Sequence, residues 1–237
     1  MKIEEKVSIL VKRKEAENMT ETVDGKMMTN EFLGSLAVVY FMTSMAVGTS
    51  GVTNAMAAGL VLAVMMMTLS GAMILPWITL GRVMKQEMDW QTGVLAWLMQ
   101  ILGGVVAYSI DWWVMKGQGH DAMVEAAFTT YLSNFSLDAS VILMTFIGAF
   151  LLMMVWSRLG GGWAMGIFAW MLMSGGIDVV SAGGVGGMIV TASYGTDAIV
   201  QVLGMMILGG VGAAAWLYFD EMVLSAEDAD KSREAAE

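Results

Sequence analysis

The chain has 237 residues, of which 14% are charged, where a soluble domain carries roughly 25%. Hydrophobic residues make up 57% and the mean hydropathy is +0.66, values that argue against a soluble enzyme and for a membrane protein. The net charge of −10 comes without a basic patch, which argues against nucleic-acid partners, and the absence of cysteine removes disulfides, thiolate nucleophiles and Cys-ligated metals.

Residues 1–30 read as a hydrophilic cytoplasmic tail. Residues 1–31 hold 13 of the 34 formal charges, too many for a secretory signal peptide, so the tail is expected to remain on the mature chain as a flexible segment. The apolar body runs from 31 to 219. A membrane-spanning helix needs about 20 apolar residues, and six stretches qualify approximately: 32–50, 54–72, 90–110, 137–157, 162–177 and 197–219. Two further apolar pieces are too short to cross. Pro76–Met84 follows the second span, and the glycine-rich Val179–Val190 follows the fifth. Residues 111–136 form an outer linker loop, and 220–237 an acidic cytoplasmic tail. Trp and Tyr flank several spans, as interfacial anchors do, and Asp111-Trp112-Trp113 reads as one such anchor.

Orientation follows from Lys and Arg. With both ends inside, 11 of the 12 basic residues fall on the cytoplasmic side and only Lys116 falls outside. The positive-inside rule therefore favours six spans with both termini cytoplasmic over a seven-span arrangement.

The halves resemble each other. Glu31-Phe32-Leu33-Gly34 is matched by Thr145-Phe146-Ile147-Gly148, Leu69-Ser70-Gly71 by Met173-Ser174-Gly175, and Gln100-Ile101-Leu102-Gly103 by Gln201-Val202-Leu203-Gly204. The repeats are set at 31–110 and 137–219. Three spans per repeat place the second upside down relative to the first, with short broken helices meeting near the midplane. Non-helical backbone is tolerated there when it is buried or lines a polar cavity. The fold class expected is an all-α bundle of six transmembrane helices and two re-entrant half-helices in two inverted three-span repeats. A bundle whose loops dip in without an open path is the simpler alternative.

These features resemble the aquaporin and glycerol-channel superfamily, the major intrinsic proteins. Glu31–Phe41 is similar to the family's first helix, Ser70–Gly81 to its first pore loop and Gln100–Gly104 to its third helix. The resemblance implies a passive channel for water or a small neutral solute, in a lipid bilayer and as a homotetramer, with no cofactor, no metal and no enzymatic activity. The first signature, Asn-Pro-Ala, is Leu75-Pro76-Trp77 here. The second, Asn-Pro-Ala-Arg, aligns with Asp178-Val179-Val180-Ser181, or with Val179 at the Asn position in the ungapped register. Thr145 stands where the family has a Glu in its fourth span. Ala55 or Ala58, and Gly166 or Ile167, fall near the positions that supply the selectivity filter, together with Ser181.

The departures change the chemistry. Leu75 can neither cap a half-helix nor donate into a pore, while Pro76 suits a first helical turn. Trp77 either blocks the pore or packs away from it. Asp178 can cap the second half-helix as a structural residue, or face the pore as an intramembrane carboxylate. Ser181 removes the fixed positive charge that helps repel cations. Glu31 either bonds buried loop backbone, as the family's first-helix Glu does, or sits at the membrane edge. His120 is the lone histidine and reads as an exposed loop residue; with Ser174 or Ser181 it makes no credible catalytic pair. The 26 methionines read as lipid-facing or gap-filling rather than as a copper path. The alternative to a channel is a non-conducting structural or interaction protein of the same fold, with Leu75 and Trp77 sealing the path.

Overall fold

The structure, a computed structural model, describes residues 24–44, 51–119 and 138–234, with 224–234 as backbone alone. The N-terminal tail to 23, residues 45–50 of the first expected span, His120 and the rest of the linker to 137, and residues 235–237 lie outside the described residues. Every regular element among the described residues is helical: α1 (Gly25–Thr43), α2 (Gly51–Thr68), α3 (Pro76–Met84), α4 (Trp90–Gly117), α5 (Ala139–Leu159), α6 (Trp163–Ser174), α7 (Ala182–Val190) and α8 (Thr196–Glu234). Among them α4, α5 and the Thr196–Val223 part of α8 are each long and apolar enough to cross a membrane, with α2 and α6 as shorter apolar helices.

Several boundaries differ from the sequence reading. α1 begins inside the expected tail because Asp24 caps it, its carboxylate accepting from Lys26 N at 2.9 Å. α4 runs into the expected linker as far as Gly117, where Gly119 at φ +74° turns the chain out. α8 continues through the acidic tail to Glu234, since that segment contains neither Pro nor Gly to stop it. α7 starts at Ala182 rather than Val179, because the preceding residues form turns of their own.

The packing repeats itself. α1 packs on α4 and α5 on α8; α1 on α2 and α5 on α6; α3 on α8 and α4 on α7; α3 on α4 and α7 on α8; α2 packs on α6, its own counterpart. Glycines mark these contacts, as expected where backbones approach closely in a membrane. A Cβ at Gly103 would lie 2.6 Å from the Phe32 carbonyl, and one at Gly212 would lie 2.6 Å from that of Phe146. Gly59 and Gly166 each press on the other's carbonyl across the α2–α6 contact.

This corrects one of the three internal matches. The counterpart of Gly103 is Gly212, not Gly204, so the likeness of Gln100–Gly103 to Gln201–Gly204 is a coincidence of composition. By the same register Gln100 corresponds to Gly209 and Gly104 to Ala213.

Candidate functional site: the two re-entrant loops

In the first loop the chain leaves α2 and enters α3 through Met73, Ile74 and Leu75. Leu75 occupies the N-cap with no side-chain bond, and Pro76 takes the first helical position. The loop is held from outside. Glu31, fully buried in α1, accepts from the amides of Met73 and Ile74 at 2.7 Å each. Gln100 of α4 donates to Glu31 and to Thr79, both at 2.7 Å, and Ser35 bonds the Gln100 carbonyl at 2.7 Å. Ile74 takes φ +65°, costly for a β-branched residue, with its side chain seated against Gly34.

The same half-helix presents Trp77, Leu80 and Gly81 to α8. The Trp77 ring lies where a Cβ at Gly209 would be, Leu80 meets Gly210, and Gly81 meets Ala213. Trp77 is 1% exposed. Of the two fates open to it, the ring packs into the α3–α8 contact.

The second loop is built differently. The amides of Gly176 and Ile177, corresponding to those of Met73 and Ile74, bond the carbonyls of Met173 and Leu172 at 3.0 Å, with Gly176 at φ +83°. The loop thus folds back on the end of α6. Thr145, at the position corresponding to Glu31, is buried. Ile177 rests on Gly148 as Ile74 rests on Gly34.

Beyond that point the registers part. Gly81 corresponds to Gly186, which sits on the Gly104 carbonyl. Nine positions separate Ile177 from Gly186, against seven from Ile74 to Gly81. The two extra residues lie within Val179–Ser181. Asp178 therefore occupies the place of Leu75 but is detached from the helix. The helix N-cap is Ser181, at φ +25° and without a side-chain cap bond. The Asp178 carboxylate accepts from Ser181 N at 3.0 Å, closing a turn before the helix instead of capping it. Val179 N bonds the Ile177 carbonyl at 2.9 Å, and Ala182 N bonds that of Val180.

The two filter positions expected on α6 lie on different faces of that helix. Ile167 is 47% exposed, on the outer stripe Trp163–Ile167–Met171, and Gly166 is consumed by its contact with Gly59. Ala55 and Ala58 are buried in the core face of α2.

Sequence reading missed two residues of the second loop's surroundings. Asp111 is 3% exposed, whereas an interfacial anchor would be open; of the two tryptophans that follow it only Trp113 is exposed. Tyr108, also buried, interacts electrostatically with both Asp111 and Asp178. The signal was the spacing of Gly104, Tyr108 and Asp111, which puts all three on one helical face. Gly104 abuts Ala182 at the start of α7, so that face meets the second loop.

The far end of α3 is tied by charge. Lys85 pairs with Glu221 and lies 4.3 Å from the Tyr218 ring centre, and Arg158 of α5 pairs with Asp220. The contact with Glu221 holds the Lys85 ammonium above its ordinary range. Among the described residues, no group of three or more His, Asp or Glu is placed to hold a metal ion.

Two nine-residue helices entering a pseudo-symmetric helical bundle from its two halves define the architecture of a membrane channel. The major intrinsic protein family profile matches residues 17–160. The chain belongs to that family, whose members are integral membrane channels and not enzymes. The X-ray structure of the aquaglyceroporin from Plasmodium falciparum matches with a TM-score of 0.63 at 16% sequence identity, over 84% of this chain and 96% of that one, which establishes the shared fold. No curated protein matches the chain.

Proposed function

We propose that the protein is a passive channel for water or a small neutral solute, with a pore that lacks the usual Asn pair and filter Arg. The observation that carries this reading is the placement of Trp77. The bulkiest side chain of the first signature is packed on Gly209, which supports a path that it does not block. The pore then passes Leu75 and Pro76 on one side and Asp178 and Ser181 on the other. The amino-terminal ends of α3 and α7 supply partial positive charge that orients permeating water. Leu75 contributes no hydrogen bond, which makes that side of the passage apolar.

In this reading the membrane domain, residues 31–219, crosses a lipid bilayer six times with both ends cytoplasmic. It assembles as a homotetramer, and the solute needs no cofactor. Stopped-flow light scattering on proteoliposomes under water and glycerol gradients tests it. Permeability above that of protein-free vesicles is the expected result.

The second reading, a non-conducting member of the fold, draws on Leu75, Val179 and Val180, all nearly fully buried at the loop tips. Vesicles with verified insertion that stay as tight as protein-free ones to both gradients would favour it.

A further inference from the structure

We infer that Arg82 is the residue that rejects cations, standing in the half of the path that α3 lines rather than at the filter position, which holds Ser181. This role rests on the channel reading and goes beyond it by assigning the fixed charge that sets selectivity.

The neighbours of α3 sort its side chains by face. Trp77, Leu80 and Gly81 meet α8, while Thr79 bonds Gln100 and Val83 meets Gly93, both on α4. That leaves Leu75, Ile78 and Arg82, at spacings of three and four, on a third face. Leu75 heads this face at the loop tip, beside the proposed pore, and Arg82 follows about 10 Å further along the helix. From there the guanidinium reaches α5, lying 5.3 Å from the centre of the Trp156 ring. α3 and α5 are not among the closely packed helix pairs, so Arg82 and Trp156 meet across the space between the two helices.

The bonding of Arg82 is a second, independent observation. Its Nη1 donates to the Met73 sulfur at 3.8 Å, a weak acceptor. Its Nε is buried without a hydrogen bond, and the Glu87 carboxylate lies 3.7 Å away and is itself 40% exposed. The other bases at this end are closely matched, Lys85 with Glu221 and Arg158 with Asp220. Glu31 also interacts with Arg82, but from behind the loop, where its carboxylate faces the amides of Met73 and Ile74. A buried donor without a partner costs free energy, which a water or solute hydroxyl passing the guanidinium recovers.

A base in the last turn of a helix ordinarily does no more than offset the negative end of its dipole. Such a base is open to water, whereas the Arg82 side chain is only 26% exposed and turns towards the loop sulfur and the opposite helix. In the channel reading the negative end of α3 opens onto the path and draws cations in. The Arg82 guanidinium, which does not lose its proton, reverses that local sign. In a narrow passage of low dielectric a fixed charge acts strongly on an ion and little on a neutral molecule. The same N–H groups that repel a cation donate to the oxygen of a neutral solute, so one residue both excludes and admits.

The test uses the full chain in proteoliposomes with insertion verified, and it reads potassium flux beside water flux. Arg82→Gln is expected to raise potassium permeability by about tenfold or more over the wild type. Arg82→Lys, which keeps the charge and loses the guanidinium's packing, should stay tight. Lys85→Gln and Arg158→Gln, whose charges are already paired, should leave potassium flux unchanged. The chain has no cysteine, so Arg82→Cys introduces a single thiol. An aminoethyl methanethiosulfonate restores a positive charge there and should close the leak, while its neutral methyl analogue should not. If Arg82→Gln fails to fold, the aminoethyl adduct of Arg82→Cys is reconstituted instead, and reducing it off the inserted protein removes the charge without refolding. Arg82 variants as tight to potassium as the wild type overturn the inference, as does a leak that restoring the charge does not close or that the Lys85 and Arg158 variants share. Wild-type water flux with potassium-tight Arg82 variants defeats this role and leaves the channel reading standing. A potassium leak in Arg82→Gln, with a wild type that passes neither water nor glycerol, defeats the channel reading and leaves Arg82 as the barrier.

Discussion

In the first re-entrant loop the buried amides of Met73 and Ile74 are held by a carboxylate from another helix. The corresponding amides of the second, Gly176 and Ile177, bond to carbonyls of the helix they have just left. The carboxylates are thus exchanged between the halves. The first loop has Glu31 behind it and an apolar Leu75 at its tip, whereas the second has Thr145 behind it and Asp178 at its tip. A buried backbone donor needs a partner, but the partner need not come from the same place. Gly176, in the left-handed region, lets the second loop find its own partners. Ile74 sits at a positive φ without that freedom, and the first loop borrows Glu31.

The largest expected effect breaks this contrast at its root. Glu31→Leu strands three buried donors, those of Met73, Ile74 and Gln100, at about 1–3 kcal/mol each. That total approaches the whole stability of a typical domain, so loss of the folded protein in detergent is expected. Thr145→Val in the second half removes one hydroxyl and is expected to cost about 0.5–1.5 kcal/mol. Thermal unfolding of the two variants side by side decides the matter; equal losses would erase the distinction drawn between the loops.

A second experiment concerns what fills the space opposite each loop. Gln100 has Gly209 as its counterpart, and the Trp77 ring occupies the room that glycine leaves. Trp77→Ala is expected to cost about 3–5 kcal/mol as a cavity. Gly209→Ala, which drives a methyl into the ring, is expected to cost about 1–3 kcal/mol. The double variant should recover part of that loss, with a coupling of about 0.5–3 kcal/mol. Strict additivity would mean that the ring and the glycine are not matched, and Trp77 would return as a candidate plug.

Much of this arrangement was legible in the residues. Hydropathy and the Glu31 and Ser70–Gly81 motifs led to the right fold class, and Pro76–Met84 forms a helix with the bounds expected. What escaped is what a linear alignment of glycines cannot register. Gly204 and Gly212 are equally plausible counterparts of Gly103 until a carbonyl lies against one of them. The two extra residues before α7 were hidden for the same reason, because a glycine-rich helix offers several registers. Asp111 beside two tryptophans has the composition of an interface, and only the face it shares with Gly104 sets it apart. Position along α6 likewise cannot tell the exposed face that carries Ile167 from the buried one that carries Gly166.

A smaller effect separates the two strained residues. Ser181→Gly relieves a φ of +25° and removes a hydroxyl with no partner, so stabilisation by up to about 1 kcal/mol is expected. Ile74→Gly relieves a φ of +65° as well, but it empties a fully buried site against Gly34 and is expected to cost about 2–4 kcal/mol. Opposite signs in thermal midpoint would show that strain in the first loop is offset by packing and in the second is not. A destabilising Ser181→Gly would sink that assignment.

The smallest effect lies at the far ends of the half-helices. α7 closes with neutral bonds, Thr191 to the Gly187 carbonyl at 2.7 Å and Tyr194 to that of Ile189 at 3.2 Å. α3 closes with Lys85 between Glu221 and the Tyr218 ring. Because Glu221 raises the Lys85 pKa above its ordinary 10.5, the folded state binds the proton more tightly than the unfolded one. The stabilisation is therefore complete below 10.5 and is lost as pH rises through the raised value. An exposed pair is screened by water and salt, so the expected shift is slight and largest at low ionic strength. Wild type and Lys85→Met, compared by thermal unfolding as pH is raised past 10.5, should converge, the variant having nothing to lose there. A constant gap between them at every pH would mean that Lys85 acts through its aliphatic stem on Tyr218, and that the charge contributes nothing to seating α3.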